Sequence, residues 1–122
     1  MALGFELVCC AEIQDGDEWK GCDAFSIFSR TIADQMKDAD GLGLPADVST
    51  YAMACFVEGS VHLGEREHNE FNTFWVGLDR ADTLFAPILA MHPLMLDKWN
   101  FFLDRTAAMA GERPARVVVF CV

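Results

Sequence analysis

Apolar residues occupy alternate positions at the start of the chain and a continuous run at its end. The alternating apolar positions are Leu3, Phe5, Leu7, Cys9, Ala11 and Ile13. A period of two residues predicts a strand with one core face and one mixed face. The run from Val117 to Val122 is continuously apolar, as in a strand that is buried on both faces. We expect the two terminal strands to pair or to lie in one small sheet.

The segment from Pro93 to Gly111 has helical periodicity. Pro93 suits the first turn, where no N–H donor is needed, and Gly111 suits the position after the last turn, where φ is often positive. The residues of the stripe are Met95, Trp99, Phe102, Leu103, Thr106, Met109 and Ala110. Leu96 and Phe101 widen it. The pattern predicts a central, mostly buried helix over about 93–110, on which the strands pack.

Three segments between these elements have less decisive patterns. Apolar spacing predicts a helix over 23–37 that is capped by Asp23. Residues 46–57 fit either a helix or a strand, and the flanking proline and glycine favour a helix. Residues 71–78 also fit both; their spacing favours a helix, although their aromatic and β-branched residues are typical of strands.

Polar and glycine-rich stretches separate these elements. Asp82 is predicted to cap a short helix that runs through Pro87 to Met91. The remaining predictions are loops at 14–20 and 39–45, a short strand at 60–63 and a turn at 64–69. We therefore predict an α+β fold, in which one compact domain over residues 1–122 packs several helices on a small sheet that includes both terminal strands.

The charge of the chain is strongly acidic and unevenly distributed. The formal net charge is −10, from 19 acidic and 9 basic residues. Residues 1–61 contain 11 acids and 3 bases, and residues 62–122 contain 8 acids and 6 bases. This balance disfavours direct binding to nucleic acid phosphates. It favours a partner with a basic surface, since charge complementarity steers association. The alternative is that the acidity only maintains solubility.

Composition also bears on the cellular compartment. No apolar run reaches the roughly 20 residues that span a bilayer, so no membrane partner is expected. The N-terminus has no basic region before its apolar part, which argues against a secretory signal. The chain has five cysteines. The adjacent pair, Cys9 and Cys10, would point to opposite faces of a strand. We expect reduced, buried cysteines and a cytoplasmic protein.

No motif in the sequence indicates a catalytic chemistry. The polar cluster with metal-ligand residue types comprises His62, Glu65, Glu67, His68 and Glu70. It lacks the paired i,i+4 histidines of HExxH, and the acidic residues from Asp15 onward lack the spacing of a calcium loop. The cysteines lie in apolar runs, where a thiolate is disfavoured. We predict no metal, no cofactor and no enzymatic activity.

The acidic loops of the first half are the predicted partner-binding site. Trp19 lies in the first loop, and tryptophan is enriched in binding hot spots. The predicted site residues are Asp15, Asp17, Glu18, Trp19, Asp23, Asp38, Asp40 and Asp47. They would dock on a basic groove of a protein partner and exclude a substrate such as nucleic acid. The alternatives are a small enzyme or ligand-binding domain, and an oligomeric structural subunit such as a homodimer.

In size, acidity and absence of motifs the whole chain resembles the small phage-encoded anti-CRISPR proteins. It is also similar in these respects to immunity proteins that neutralise nuclease toxins. The anti-CRISPR resemblance implies a non-enzymatic inhibitor that acts in the bacterial host cytoplasm. Its partner would be a CRISPR-associated protein, either a nucleic-acid-binding or a nuclease component of a defence complex. No shared motif carries a functional residue over to this chain.

Overall fold

The computed structural model describes residues 5–29, 39–55, 73–90 and 93–121. These residues contain a five-stranded antiparallel sheet with helices packed on it, which confirms the α+β prediction. The strands are β1 (Phe5–Asp15), β2 (Glu18–Ser29), β3 (Gly41–Leu42), β4 (Thr73–Gly77) and β5 (Ala115–Cys121). The described helical segments are α1 (residues 50–55), α2 (Leu78–Leu89) and α3 (Pro93–Ala110).

The strands lie side by side in the order β2-β1-β5-β4-β3. The predicted pairing of the terminal strands is confirmed, because β1 and β5 are antiparallel neighbours from Leu7 opposite Cys121 to Ile13 opposite Ala115. Buried residues lie on both sheet faces. Those in contact with α2 and α3 include Leu7, Cys9, Ala11, Phe74, Val76, Val117 and Val119, and those near α1 include Cys10 and Phe120. The two adjacent cysteines therefore point to opposite faces, as predicted.

Helix α3 has the predicted bounds, from Pro93 to Ala110. Gly111 follows it with a φ of 62°, a conformation that glycine adopts without a Cβ clash. Its buried side chains are Trp99, Phe102, Thr106 and Ala110. The prediction of a mostly buried helix is wrong. The helix lies in the outer layer, so that only one stripe contacts the sheet and Phe101 remains 64% exposed.

Residues 23–29 form the second half of β2, which corrects the helix predicted over 23–37. Strands β1 and β2 form a hairpin around Gly16, whose φ is 65°. The register shifts between Ala11 and Glu12, leaving Cys22 as an extra residue on β2. Phe25 and Phe28 follow the bulge, in a regular part of the strand, so their helix-like spacing of three residues was misleading. The loop predicted at 14–20 is also wrong, because only residues 16–17 form the turn.

Residues 73–77 form β4, which corrects the helix predicted over 71–78. The strand hydrogen-bonds to β5 on one side and to β3 on the other. Helix α2 begins directly after it at Leu78, so Asp82 lies inside the helix and is not its cap. The preference for a helix in 46–57 is confirmed for residues 50–55, and residues 39–45 form a loop except for β3.

Several predictions lie outside the described residues: the helix over 30–37, the strand at 60–63 and the turn at 64–69. Within the described residues, no helix combines the length and the apolar character needed to cross a membrane.

Candidate functional site

The predicted acids of the first loop lie at the tip of the β1–β2 hairpin. Asp15 ends β1, Asp17 lies in the turn and Glu18 begins β2, and all three are exposed. The carboxylate of Asp15 lies 2.9 Å from Nζ of Lys20. This ammonium group lowers the pKa of Asp15, and the carboxylate in turn raises the pKa of Lys20. Lys20 therefore offsets one of the three negative charges at the tip.

Arg116, which was not among the predicted site residues, brings Trp19 and Asp47 together. The guanidinium carbon of Arg116 lies 4.0 Å from the ring centroid of Trp19 and 5.7 Å from that of Trp75. Nη1 of Arg116 lies 3.0 Å from Oδ1 of Asp47, and Nη2 donates to the Asp47 backbone carbonyl at 3.3 Å. The interaction of a cation with the face of an indole ring is favourable. The main contact of Trp19 is therefore internal, with the guanidinium group of Arg116.

The buried partner of Arg116 is Glu12, the residue opposite it on β1. Nε of Arg116 donates to Oε1 of Glu12 at 2.6 Å, and the Ser49 backbone N–H donates to Oε2 at 2.6 Å. The Ser49 hydroxyl accepts a hydrogen bond from the Ala52 N–H, as expected of the residue that caps α1. Glu12 therefore attaches the start of α1 to the sheet, and its charge is balanced internally.

The other predicted acids are not part of this group. Asp23 faces α3 and lies 3.3 Å from Nη2 of Arg105. Asp40 directly precedes β3 and lies beside the end of β4. There it pairs with Arg80 and accepts a hydrogen bond from the Gly77 N–H at 2.6 Å. Asp38 lies outside the described residues. The predicted site is therefore divided, and Asp23 and Asp40 have structural partners of opposite charge.

Further acids from the second half of the chain lie at the same end of the sheet as the hairpin tip. At this end β1 and β4 finish, α2 begins, and α3 turns into β5. The Gln14 N–H donates to the Pro114 carbonyl at 2.9 Å, which joins the hairpin to the start of β5. We call this surface the acidic end and define it by the exposed carboxylates of Asp15, Asp17, Glu18, Asp47, Asp79, Asp82, Asp104 and Glu112. Asp40 lies at the same end but is left out of the definition, because it pairs with Arg80 and accepts the Gly77 N–H.

A groove of about 670 Å³ opens at the acidic end between α2 and α3. Its apolar lining residues are Leu78, Leu103, Ala107, Ala110, Pro114 and Ala115. Asp79, Asp82 and Asp104 are its acidic lining residues, with Asn100 and Arg113. Its size is within the range of protein ligand sites.

The basic side chains of the acidic end are committed to other contacts. The guanidinium group of Arg113 donates to the carbonyls of Ala110 at 3.1 Å and Met109 at 2.7 Å. These carbonyls belong to the last turn of α3, where a cation also complements the helix dipole. Lys20 lies beside Asp15, and Arg116 lies between Glu12 and Asp47. A cationic ligand would therefore meet carboxylates at this end.

Three of the four described cysteines are poor nucleophiles. Cys9, Cys10, Cys22 and Cys55 are free thiols. Burial raises the pKa of the Cys9 thiol, and both burial and the neighbouring Cys55 raise the pKa of Cys10. Burial also raises the pKa of Cys22. A thiolate is consequently disfavoured at each of these three positions.

Within the described ranges, no three histidine, cysteine, aspartate or glutamate side chains are grouped so that they could hold a metal ion. The cluster from His62 to Glu70 lies outside those ranges.

The site residues that were not predicted from the sequence are Glu12, Arg116 and the acids of the groove. One signal was available for the pair, since each is a charged residue within or beside an apolar strand, and these strands were expected to pair. Asp79 and Asp82 have helical spacing to each other, as do Asn100 and Asp104. Their convergence depends on how α2 packs against α3. No family model, curated protein or solved structure matches this chain.

Proposed function

We propose that this chain is a non-enzymatic inhibitor that binds a protein partner through the acidic end. The observation that carries the proposal is the set of eight exposed carboxylates drawn from both halves of the chain. A surface of one sign attracts a partner of the opposite sign over distances beyond contact and accelerates association. The partner's docking surface is accordingly rich in arginine and lysine.

The shape of the acidic end supports the binding of a protein partner rather than the mere attraction of dissolved counterions. The hairpin tip exposes Asp17 and Glu18, and the lining of the groove combines apolar side chains with three carboxylates. An arginine or lysine side chain suits such a groove, because its methylene stem is apolar while its head is charged. The tip and the groove together would take a basic segment of the partner.

Inhibition follows from competition for the partner's basic surface. Proteins that bind nucleic acids use lysine and arginine to contact phosphates. An acidic protein seated on those residues would exclude the nucleic acid without any chemical step. The resemblance to anti-CRISPR proteins favours a component of a bacterial defence complex as the partner and the host cytoplasm as the compartment.

The test starts with capture of a partner from bacterial lysate on the immobilised chain. The captured protein is then purified, and its binding to its own nucleic acid is measured with increasing amounts of the chain. We expect competitive displacement of the nucleic acid. Simultaneous binding of the nucleic acid and the chain would contradict the inhibitor proposal.

A matched pair of variants tests the site. The double variant Asp17→Asn/Glu18→Gln removes two negative charges from the acidic end. We expect it to slow association with the captured protein by about tenfold at low salt. The control Ser26→Lys/Leu42→Lys makes the same change in net charge at exposed positions on β2 and β3, and it should have a smaller effect. Equal effects of the two variants would assign the interaction to net charge alone.

A further inference from the structure

The outer surface of α3 combines exposed apolar side chains with charges that balance, unlike the acidic end. Leu94 is 80% exposed and Phe101 is 64% exposed. Asp97 and Lys98 lie between them on the same helix face, since positions three, four and seven apart point in similar directions. Phe101 also lines a groove of about 380 Å³ with Phe25 of β2. We call the surface formed by Leu94, Asp97, Lys98 and Phe101 the α3 face.

The order of residues on the α3 face is self-complementary. A two-fold axis midway between Asp97 and Lys98 places each position opposite the one equally far on the other side. Leu94 lies three residues before Asp97, and Phe101 lies three residues after Lys98. An antiparallel pair of α3 helices would therefore set Leu94 against Phe101 and Asp97 against Lys98, twice each. A two-fold interface requires this kind of complementarity of a surface to itself.

We propose that the α3 face binds the same face of a second copy, forming a two-fold dimer with antiparallel α3 helices. Two chains that each carry a net charge of −10 repel when their acidic ends approach. The charges around the α3 face cancel, because Arg105 pairs with Asp23 beside it and Lys98 balances Asp97. The interface would bury the exposed leucine and phenylalanine and leave the acidic ends free for partners.

The occupant is a second copy because the face carries both signs in a mirrored order. A partner with a basic surface would meet Lys98 and Arg105 here, and an acidic partner would meet Asp97 and Asp23. In the mirrored arrangement each charge meets its opposite. The proposal does not depend on the proposed inhibitor function, since it concerns a different surface.

The mass of the intact chain in solution tests the proposal directly. Light scattering and sedimentation over a concentration series should give twice the protomer mass of 13.6 kDa. Phe101→Asp should raise the dimer dissociation constant at least roughly tenfold, because it places a carboxylate against the apolar Leu94 of the second copy. The matched control Leu42→Asp changes an apolar residue that is 57% exposed and lies on β3, at the edge of the sheet opposite β2. It should leave the dimer intact.

Charge exchange distinguishes the proposed arrangement from any other dimer. Asp97→Lys puts two cations on each face and Lys98→Asp puts two carboxylates, so each variant alone should be largely monomeric. A mixture of the two variants should form a heterodimer in which every charge meets its opposite. A monomeric wild-type chain over the whole series would overturn the proposal. So would a dimer that Phe101→Asp leaves unchanged, or a mixture of the charge variants that fails to associate.

Discussion

At the residue scale, the contact between Glu12 and Arg116 fixes the local structure. Both side chains are buried, and each has several polar partners. A buried ion pair contributes little net stability when it replaces apolar residues, but removal of one partner leaves an uncompensated buried charge. Here Glu12 also positions Ser49 at the start of α1, and Arg116 positions Asp47 at the acidic end. The pair therefore links the sheet to part of the proposed docking surface.

The variant Arg116→Met tests this role. It leaves the Glu12 carboxylate buried without its cation, and we expect the free energy of unfolding to fall by about 3–5 kcal/mol. The double variant Glu12→Gln/Arg116→Met should be more stable than Arg116→Met, since glutamine is neutral and can still accept the Ser49 N–H. Denaturant unfolding of the three proteins measures both effects. A loss below about 1 kcal/mol in the single variant would contradict the assignment, because it is typical of an exposed pair.

At the element scale, β3 pairs with β4 at a position where a glycine of β3 leaves space for a tryptophan ring of β4. Gly41 is opposite Trp75 in the sheet. A Cβ on Gly41 would lie far inside van der Waals contact with Nε1 of Trp75, and 2.6 Å from Cε2 of the same ring. Trp75 in turn lies beside Arg116. The absence of a side chain at position 41 therefore helps to keep the indole near the buried cation.

Gly41→Ala should move the Trp75 ring and lower the free energy of unfolding by about 1–3 kcal/mol, the usual cost of overpacking. The change is checked by chemical denaturation. Trp75→Leu removes the obstructing ring, so Gly41→Ala should cost much less in that background, a coupling that a double-mutant cycle measures. Equal costs in both backgrounds would show that the ring is not the cause.

Local signals predicted some elements, and only tertiary pairing explains others. Helix α3 was predictable because its proline, its glycine and its stripe all lie within one segment. Strand β2 was missed because the apolar residues that follow the Cys22 bulge do not alternate with polar ones. The Asp15–Gly16 pair before the strand is nevertheless a hairpin signal. Strand β4 has only five residues, and its conformation depends on hydrogen bonds to β3 and β5.

Local signals also predicted only part of the candidate site. The acids of the hairpin tip were predictable from the sequence because they are adjacent in it. The meeting of Asp47 with Trp19 requires Arg116, which is 69 positions from Asp47 along the chain. Asp79 and Asp104 come together only when α2 and α3 pack. Conversely, Asp23 and Asp40 looked like free charges in the sequence but have arginine partners in the fold.

At the scale of the whole molecule, charge and apolar surface are segregated. The acidic end collects eight exposed carboxylates, while the α3 face exposes apolar residues with balanced charges. One surface suits a basic partner and the other suits a second copy. Because the two surfaces share no residue, a dimer would present two acidic ends and could bind a partner at each. Two linked sites raise the overall affinity for a partner that carries more than one basic surface.

The most direct measurement of the central claim is an amide NMR titration of the chain with an oligo-arginine peptide. At low salt we predict that the largest shifts fall at the hairpin tip and around the groove, near Asp17, Glu18, Asp82, Asp104 and Glu112. They should weaken strongly towards 1 M salt, where the Debye length falls to about 3 Å. Shifts spread evenly over the exposed acids, or concentrated on the α3 face, would contradict the claim that the acidic end is the docking surface.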